Sequence, residues 1–308
     1  MLKLKKILFP TDFSKCADQV LAHTVFFAKK YKAEIHILHV ITIFKDQPSV
    51  VSDEITETQE MIRKLEDVVE KQLNRVVNSH GSDDLAIITT KKRGMSAAPV
   101  ILEYASDQDI DLIVMGTHGR RGMGHLLLGS ATEEVVRMAK CPVFTIRESE
   151  KPKSLEAINK ILVPVDFSDY SKNALAYAAE IAESYGAQLQ LFHVIEETIH
   201  PVYSLSGKSS KIELAPGIEE DCRKRIEQMI QETGISKEDT EIVINSGQAA
   251  LEIIKFATDN LSDLIVIATH GLTGIEHLLL GSVTEKVARM APCPVFTIKA
   301  FGKNLIRD

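Results

Sequence analysis

The residues best suited to chemistry lie in one stretch, Gly116-Thr117-His118-Gly119-Arg120-Arg121-Gly122-Met123-Gly124-His125-Leu126-Leu127-Leu128-Gly129-Ser130. It follows an apolar run, Leu112-Ile113-Val114-Met115, of the kind that forms a buried strand. It leads into Ala131-Thr132-Glu133-Glu134-Val135-Val136-Arg137-Met138-Ala139, a helical pattern for which Ser130 is the expected N-cap. A glycine-rich loop between a strand and a helix N-terminus turns backbone N–H groups toward one point, where the helix dipole adds partial positive charge. The expected chemistry is phosphate binding by backbone, without a dedicated lysine.

Other chemistries fit less well. The spacing Gly124-x4-Gly129-Ser130 resembles a P-loop without its lysine, so a fast NTPase is not expected. No G-x-G-x-x-G follows the first strand, which disfavours a dinucleotide enzyme. His118, His125, His270 and His277 recur at matching places, but without carboxylates or cysteines at metal-ligand spacing; loop-ordering hydrogen bonds are expected of them. His36, His39 and His193 are expected to be packed or capped polar residues. Ser14 and Ser168 read as helix caps rather than nucleophiles. Leu126-Leu127-Leu128 reads as a buried loop anchor, with a partner site as the alternative.

The elements that must position this loop occur twice. Asp263-Leu264-Ile265-Val266-Ile267-Ala268-Thr269-His270-Gly271 runs on through His277-Leu278-Leu279-Leu280-Gly281-Ser282, and roughly two-thirds of aligned positions match those from Asp111 onward. Ile7-Leu8-Phe9-Pro10-Thr11-Asp12-Phe13-Ser14 likewise matches Ile161-Leu162-Val163-Pro164-Val165-Asp166-Phe167-Ser168. A chain of 308 residues suits two such domains, expected at 1–147 and 158–308 with a charged, Pro-containing linker at 148–157.

Each half alternates strand and helix. In the first, strands are expected near 4–9, 34–40, 85–90, 112–115 and 143–146, with helices at 14–31, 54–78, 97–106 and after Ser130. In the second, the strands fall near Ile161, Leu189, Glu241, Leu264 and Val295, with a Ser-rich loop from Glu196 to Lys211 as a candidate flap. The implied fold class is α/β: two tandem open parallel five-stranded sheets, order 3-2-1-4-5, with helices on both faces, each a Rossmann-like domain. That order sets a switch point beside the first and fourth strands, where open sheets bind ligands. Asp12 and the glycine loop then converge on one crevice. The residue types alone also leave Asp12 open to a turn role ahead of Ser14.

Composition narrows the class. No run approaches the ~18 apolar residues of a membrane span, and no apolar h-region follows the basic N-terminus, so a cytoplasmic protein without a membrane partner is expected. The net charge of −7 argues against a general nucleic-acid binder. Cys16, Cys141, Cys222 and Cys293 form no C-x-x-C and are expected as reduced structural thiols.

The ordered set of Pro10-Thr11-Asp12, His39-Val40 and the spacing Gly116-x2-Gly119-x9-Gly129-Ser130 closely resembles the ATP-binding branch of the universal stress protein family, once per half. The resemblance implies domains like the adenine nucleotide alpha hydrolases. It implies a site for ATP or another adenine nucleotide, with Pro10, Thr11, Asp12 and the backbone of Val40 at the base and ribose. Gly116, Gly119, Arg120, Gly129, Ser130, Ala131 and Thr132 would serve the phosphates, with Mg2+ bridging them and no protein metal ligands. A second, weaker site would use Val165, Asp166, Val194, Gly271, Gly281, Ser282, Val283 and Thr284. There Ala268 stands for Gly116, Leu272 and Thr273 for Arg120 and Arg121, and Glu276 for Gly124, a loss of cations worth roughly 1–2 kcal/mol if those side chains face phosphate.

The resemblance also implies pairing along the fifth strand, Pro142-Val143-Phe144-Thr145-Ile146 with Pro294-Val295-Phe296-Thr297-Ile298 as an intrachain pseudo-dimer, and admits a homodimer of chains. The expected role is a stress-response regulator or sensor with little or slow hydrolysis and unknown protein partners. A nucleotide-independent scaffold is the alternative, and a slow ATPase the less favoured one.

Overall fold

A computed structural model describes residues 2–42, 52–80, 85–117, 128–148, 158–196, 217–271, 280–299 and 302–306. The chain divides into two compact units, one of Lys3–Ser154 and one of Leu155–Asp308 with Met1–Leu2. In the first unit the order is β1 (Lys6–Pro10), α1 (Lys15–Tyr31), β2 (Glu34–Thr42), α2 (Ser52–His80), β3 (Ile87–Gly94), α3 (Ala97–Asp107), β4 (Leu112–Gly116), α4 (Ser130–Met138) and β5 (Val143–Ile146). The second repeats it: β6 (Lys160–Pro164), α5 (Asp169–Tyr185), β7 (Gln188–Glu196), α6 (Ile218–Thr233), β8 (Thr240–Gly247), α7 (Ala249–Asp259), β9 (Leu264–Ala268), α8 (Ser282–Met290) and β10 (Val295–Ile298).

Within each unit the strands are parallel, ordered β3-β2-β1-β4-β5 and β8-β7-β6-β9-β10. Every strand-to-strand connection must therefore cross over, and helices cover both faces. The central strands are apolar throughout, as burial on both faces requires: Ile7, Leu8, Ile113 and Val114 have no measurable exposure, nor do Ile161, Leu162, Ile265 and Val266. In the second unit Leu162, Phe192, Ile265 and Ile267 pack with Ile253 and Ala257 of α7 and Val287 of α8 in one core layer.

Ser14 and Ser168 cap α1 and α5, each hydroxyl accepting from the N–H three residues on, Ala17 at 3.2 Å and Ser171 at 3.1 Å. Both helices end on a left-handed residue, Lys32 in one and Gly186 in the other. Strand β3 begins two residues and ends four residues beyond the span expected from sequence, because Lys91, Lys92 and Arg93 pair with His39, Val40 and Ile41. Polar residues on an edge strand weaken the apolar signal without weakening the ladder. The four cysteines are buried and none is in a disulfide. No described helix is long and apolar enough to cross a membrane.

Candidate functional site

Strand register brings the predicted residues together. Leu8 pairs with His36 of β2 and with Ile113 of β4. Counting four residues on along each strand brings Asp12, Val40 and Thr117 to the carboxyl ends of three neighbouring strands. In the second unit Leu162 pairs with Gln190 and Ile265, which brings Asp166, Val194 and Thr269 to the matching strand ends. Pro10 ends β1, paired with Leu38. Val40 is half-buried on β2, paired with Lys92, and Val194 is half-buried on β7, paired with Asn245.

The turn after β1 is held from three sides. Thr11 is buried, its N–H donates to the Leu38 carbonyl at 2.9 Å, and its hydroxyl accepts from Phe13 N at 3.1 Å. Asp12 Oδ1 accepts from Ser14 N at 3.1 Å, an Asx turn leading into the α1 cap. Both readings of Asp12 are thus compatible: one carboxylate oxygen shapes the turn at the mouth of the crevice. Phe13 between them sits at φ +59°, and its ring stacks on His39, with centroids 4.5 Å apart. His39 Nδ1 lies 2.7 Å from the Thr11 carbonyl, so β2 fixes the turn directly.

The other wall is the start of α4. Thr117 N donates to Ile146 O at 2.9 Å, and its carbonyl accepts from Gly129 N at 2.8 Å. The N-cap is Gly129, not Ser130. Gly129 O accepts from Glu133 N at 2.9 Å, so the helical ladder starts one residue earlier than the serine suggested. Ser130 is the first helical residue and is exposed. With glycine at the cap no side chain bonds the first turn, which leaves the N–H groups of Ser130, Ala131 and Thr132 for another partner. The Thr132 side chain is spent elsewhere: it is buried and its hydroxyl donates to Gly116 O at 2.7 Å, tying the start of α4 to the end of β4.

The second crevice repeats these contacts. Val165 is buried, its N–H donates to Phe192 O at 2.9 Å, and His193 Nδ1 lies 2.8 Å from its carbonyl. Asp166 Oδ1 accepts from Ser168 N at 3.0 Å and from the Ser168 hydroxyl at 2.6 Å. Gly281 caps α8 without a side-chain bond, Ser282 is exposed, Val283 is half-buried, and the Thr284 hydroxyl donates to Ala268 O at 2.7 Å. Ala268 is absent from the residues of positive φ, so its Cβ strains no backbone where Gly116 stands in the first unit. Gly271 shows how tightly the two loops meet: a Cβ there would fall 2.3 Å from Asp166 Oδ2. Glycine is required because the carboxylate occupies the space.

Arg225 of α6 places its guanidinium carbon 3.9 Å from the centre of the Phe167 ring, which itself lies 4.4 Å from His193. Burial is the main cause holding His193 below the ordinary imidazole pKa; Arg225 adds to the lowering, while the Val165 carbonyl and Asp166 oppose it.

Gly119, Arg120, Arg121, Gly124, His118, His125, Leu126, Leu127, Leu272, Thr273, Glu276 and His277 lie outside the described residues, as do the linker from 149 to 157 and most of the Ser-rich loop. Leu128 is buried, as an anchor should be. His270 Nδ1 lies 3.0 Å from the Thr269 hydroxyl, a loop-ordering contact of the kind expected. Among the described residues no group of three or more His, Cys, Asp or Glu side chains is placed to hold a metal ion. The sequence reading missed Phe13, Phe167 and Arg225. The matched Phe-Ser after each aspartate was visible, but nothing in a sequence marks a phenylalanine for the left-handed region.

The donor set suits an anionic ligand with a polar head. Uncapped N–H groups at the start of α4 offer donors to phosphate, and the carboxylate at the adjacent strand end offers acceptors to hydroxyl or amine groups. A profile of the universal stress protein family matches residues 3–147 and again 157–299. A universal stress protein of Methanocaldococcus jannaschii is 36% identical over 143 residues, 46% of this chain and 81% of its own length. One from Synechocystis is 26% identical over 318 residues, covering 96% of this chain and all of its own. The crystal structure of a universal stress protein from Archaeoglobus fulgidus superposes with a TM-score of 0.67 at 24% identity, covering 96% of this chain and 98% of that one, which supports the fold. The chain belongs to the universal stress protein family and carries its domain twice.

Proposed function

We propose that the first unit binds an adenine nucleotide, and that the protein is a cytoplasmic stress-response regulator whose interactions depend on that nucleotide, with little or slow hydrolysis. The carrying observation is the placement of Asp12, Val40 and the uncapped start of α4 around one crevice. In this reading Asp12 accepts from ribose or base, the Val40 backbone meets the base beside Pro10 and Thr11, and the N–H groups of Ser130, Ala131 and Thr132 meet phosphate. Gly116, Gly119, Arg120 and Gly129 belong to the same phosphate wall, and Mg2+ is held by the phosphates rather than by protein side chains. The fifth strands are assigned to pairing between the two halves of one chain.

The second unit is assigned weaker binding. Its backbone cradle is retained through Val165, Asp166, Val194, Gly271, Gly281, Ser282, Val283 and Thr284, but its loop exchanges two arginines for Leu272 and Thr273 and gains Glu276. The test is the adenine nucleotide released by acid from purified protein, quantified by chromatography. Close to one nucleotide per chain is expected, lost in Asp12→Ala and Gly129→Val and kept in Asp166→Ala. Two per chain would overturn the asymmetry. Protein that is empty and whose melting temperature ignores added Mg·ATP would overturn nucleotide binding and leave a scaffold, since ligand at a hundredfold its Kd adds about 2.7 kcal/mol to stability.

A further inference from the structure

Three bases, Lys91, Lys92 and Arg93, stand near the carboxyl end of β3, and successive side chains on a strand point to opposite faces. Lys91 Nζ donates to Glu70 Oε2 at 2.8 Å and Arg93 Nε to Glu66 Oε1 at 2.8 Å, so these two face α2. On the other face Thr90 Oγ1 lies 3.2 Å from the Tyr104 hydroxyl of α3, and a Cβ on Gly94 would fall 2.4 Å from Val100 Cγ2. Lys92 lies between Thr90 and Gly94 on that α3 side, exposed, and pairs in register with Val40. The carboxylates that hold its neighbours are across the sheet from it. Its ammonium, on a flexible four-carbon stem, therefore stands at the crevice wall beside Val40.

The second unit carries the opposite polarity at the same place. Asn245, paired with Val194, stands where Lys92 does, and Glu252 of α7 stands where Val100 does. A Cβ on Gly247 would fall 3.1 Å from Glu252 Cγ, so this side chain covers the end of β8 as Val100 covers the end of β3. Asn245 Nδ2 donates to Glu252 Oε2 at 3.3 Å. One wall thus ends in an ammonium, which has donors and no acceptor, and the other in a carboxylate and an amide, which supply acceptors. Purine edges differ in the same sense: adenine presents an amino donor beside ring-nitrogen acceptors, and a 6-oxopurine has a carbonyl oxygen in place of the amino group. Lysine pairs with the oxo and ring-nitrogen acceptors, whereas asparagine suits the adenine edge and a carboxylate accepts from an amino group. Resting on the nucleotide reading, which puts the base at Val40, we propose that Lys92 reads the base in the first crevice and Asn245 with Glu252 in the second. The first crevice then takes 6-oxopurine nucleotides as well as adenine nucleotides, and the second is confined to the amino purine. This difference concerns which base is held, and is separate from how tightly the phosphates are.

The test is calorimetric titration of the full chain with Mg·ATP and with Mg·ITP, in an Asp166→Ala background so that only the first crevice is read. The two nucleotides carry the same phosphates, so general charge effects and a partly unfolded sample cancel in the ratio of their affinities. With Lys92 present, ITP is expected to bind no more than about threefold more weakly than ATP. Lys92→Glu should lower the ITP-to-ATP ratio by about tenfold, the worth of one base-edge contact. Lys92→Asn with Val100→Glu, which builds the second unit's pair into the first, should lower it similarly. If that double variant does not fold, Lys92→Glu serves alone, since its side chain is exposed. A ratio unmoved by Lys92→Glu, or a crevice that rejects ITP by tenfold or more with Lys92 in place, would overturn base reading by Lys92 and leave nucleotide binding standing. Protein that binds neither nucleotide would overturn both.

Discussion

At the matched positions Leu8 and Leu162 the neighbouring strand presents His36 in one unit and Gln190 in the other. His36 is buried, with Nδ1 2.9 Å from the Tyr104 hydroxyl and Nε2 2.6 Å from Glu34 Oε1, while the same hydroxyl lies 3.2 Å from Thr90 Oγ1. Gln190 instead donates to Glu241 at 2.7 Å, and Phe256 takes the place of Tyr104. Behind the sheet the two units have exchanged their polar groups. At the mouth of the crevice they have not: serine cap, aspartate turn, imidazole on the carbonyl before the aspartate, and threonine hydroxyl on the last strand carbonyl recur in both. Side chains that bond backbone are tied to the fold's path, whereas side chains that bond each other can be replaced as sets. The conserved backbone of the second crevice is therefore weak grounds for equal binding, and side-chain chemistry around it decides.

The largest stability difference between the units is expected at His23. It lies in α1 where α5 carries Tyr177, and both side chains are buried. Tyr177 has partners, its hydroxyl accepting from Leu305 N at 2.8 Å. His23 is lowered from 6.5 to about 4 by burial. A base whose folded pKa is depressed is held neutral in the native state, so the unfolded chain binds more protons between about pH 4 and 6.5. Stability contributed by the neutral form is present above pH 6.5 and lost as pH falls toward 4, by up to about 3 kcal/mol. Urea unfolding at both pH values should show this loss in the wild type and its removal in His23→Leu. Equal acid sensitivity in both proteins would move the effect to other groups.

A middle-sized effect should separate steric from electrostatic accounts of the second crevice. Gly271→Ala places a methyl group against Asp166 Oδ2, where 2.3 Å is available. Displacing the carboxylate should cost about 1–3 kcal/mol, the usual range for overpacking. In an Asp166→Ala background the cost should largely vanish, a coupling that thermal or urea unfolding of the four proteins measures. An undiminished penalty would mean that Gly271 serves the loop's backbone rather than the aspartate.

The two units also show which parts of a site a sequence can display. The strands and the helices that follow them were legible because apolar runs, glycines and caps are local signals repeated at fixed offsets. The placement of Asp12 beside the carboxyl end of β4 followed from strand order alone. Ser130 misled because serine at a helix start normally caps, and only the Gly129–Glu133 hydrogen bond shows that the helix had already begun. Thr132 uses its hydroxyl to tie the start of α4 to β4, a role set by a carbonyl sixteen residues away. Phe13 and Phe167 were invisible as site residues. Their left-handed backbone is imposed by the turn, and the histidines whose rings pack against them come from another strand.

Arg225 offers the smallest and most selective test. Its exposed guanidinium over Phe167 should contribute about 0.5–1 kcal/mol, so Arg225→Gln should lower stability by no more than that. The sharper readout is His193, whose pKa is lowered first by burial and additionally by this cation. Removing the cation leaves burial in place but takes away one lowering cause, so the imidazole should titrate higher than in the wild type. His39, stacked on Phe13 in the other unit, should not move, which makes it the internal control in one NMR titration. A shift at His193 alone would show that α6 lends the second crevice positive charge that its loop has given up at Leu272 and Thr273. Its nucleotide affinity should then fall further in Arg225→Gln. No shift at His193 would mean that solvent screens the guanidinium, and the difference between the crevices would rest on the loop substitutions alone.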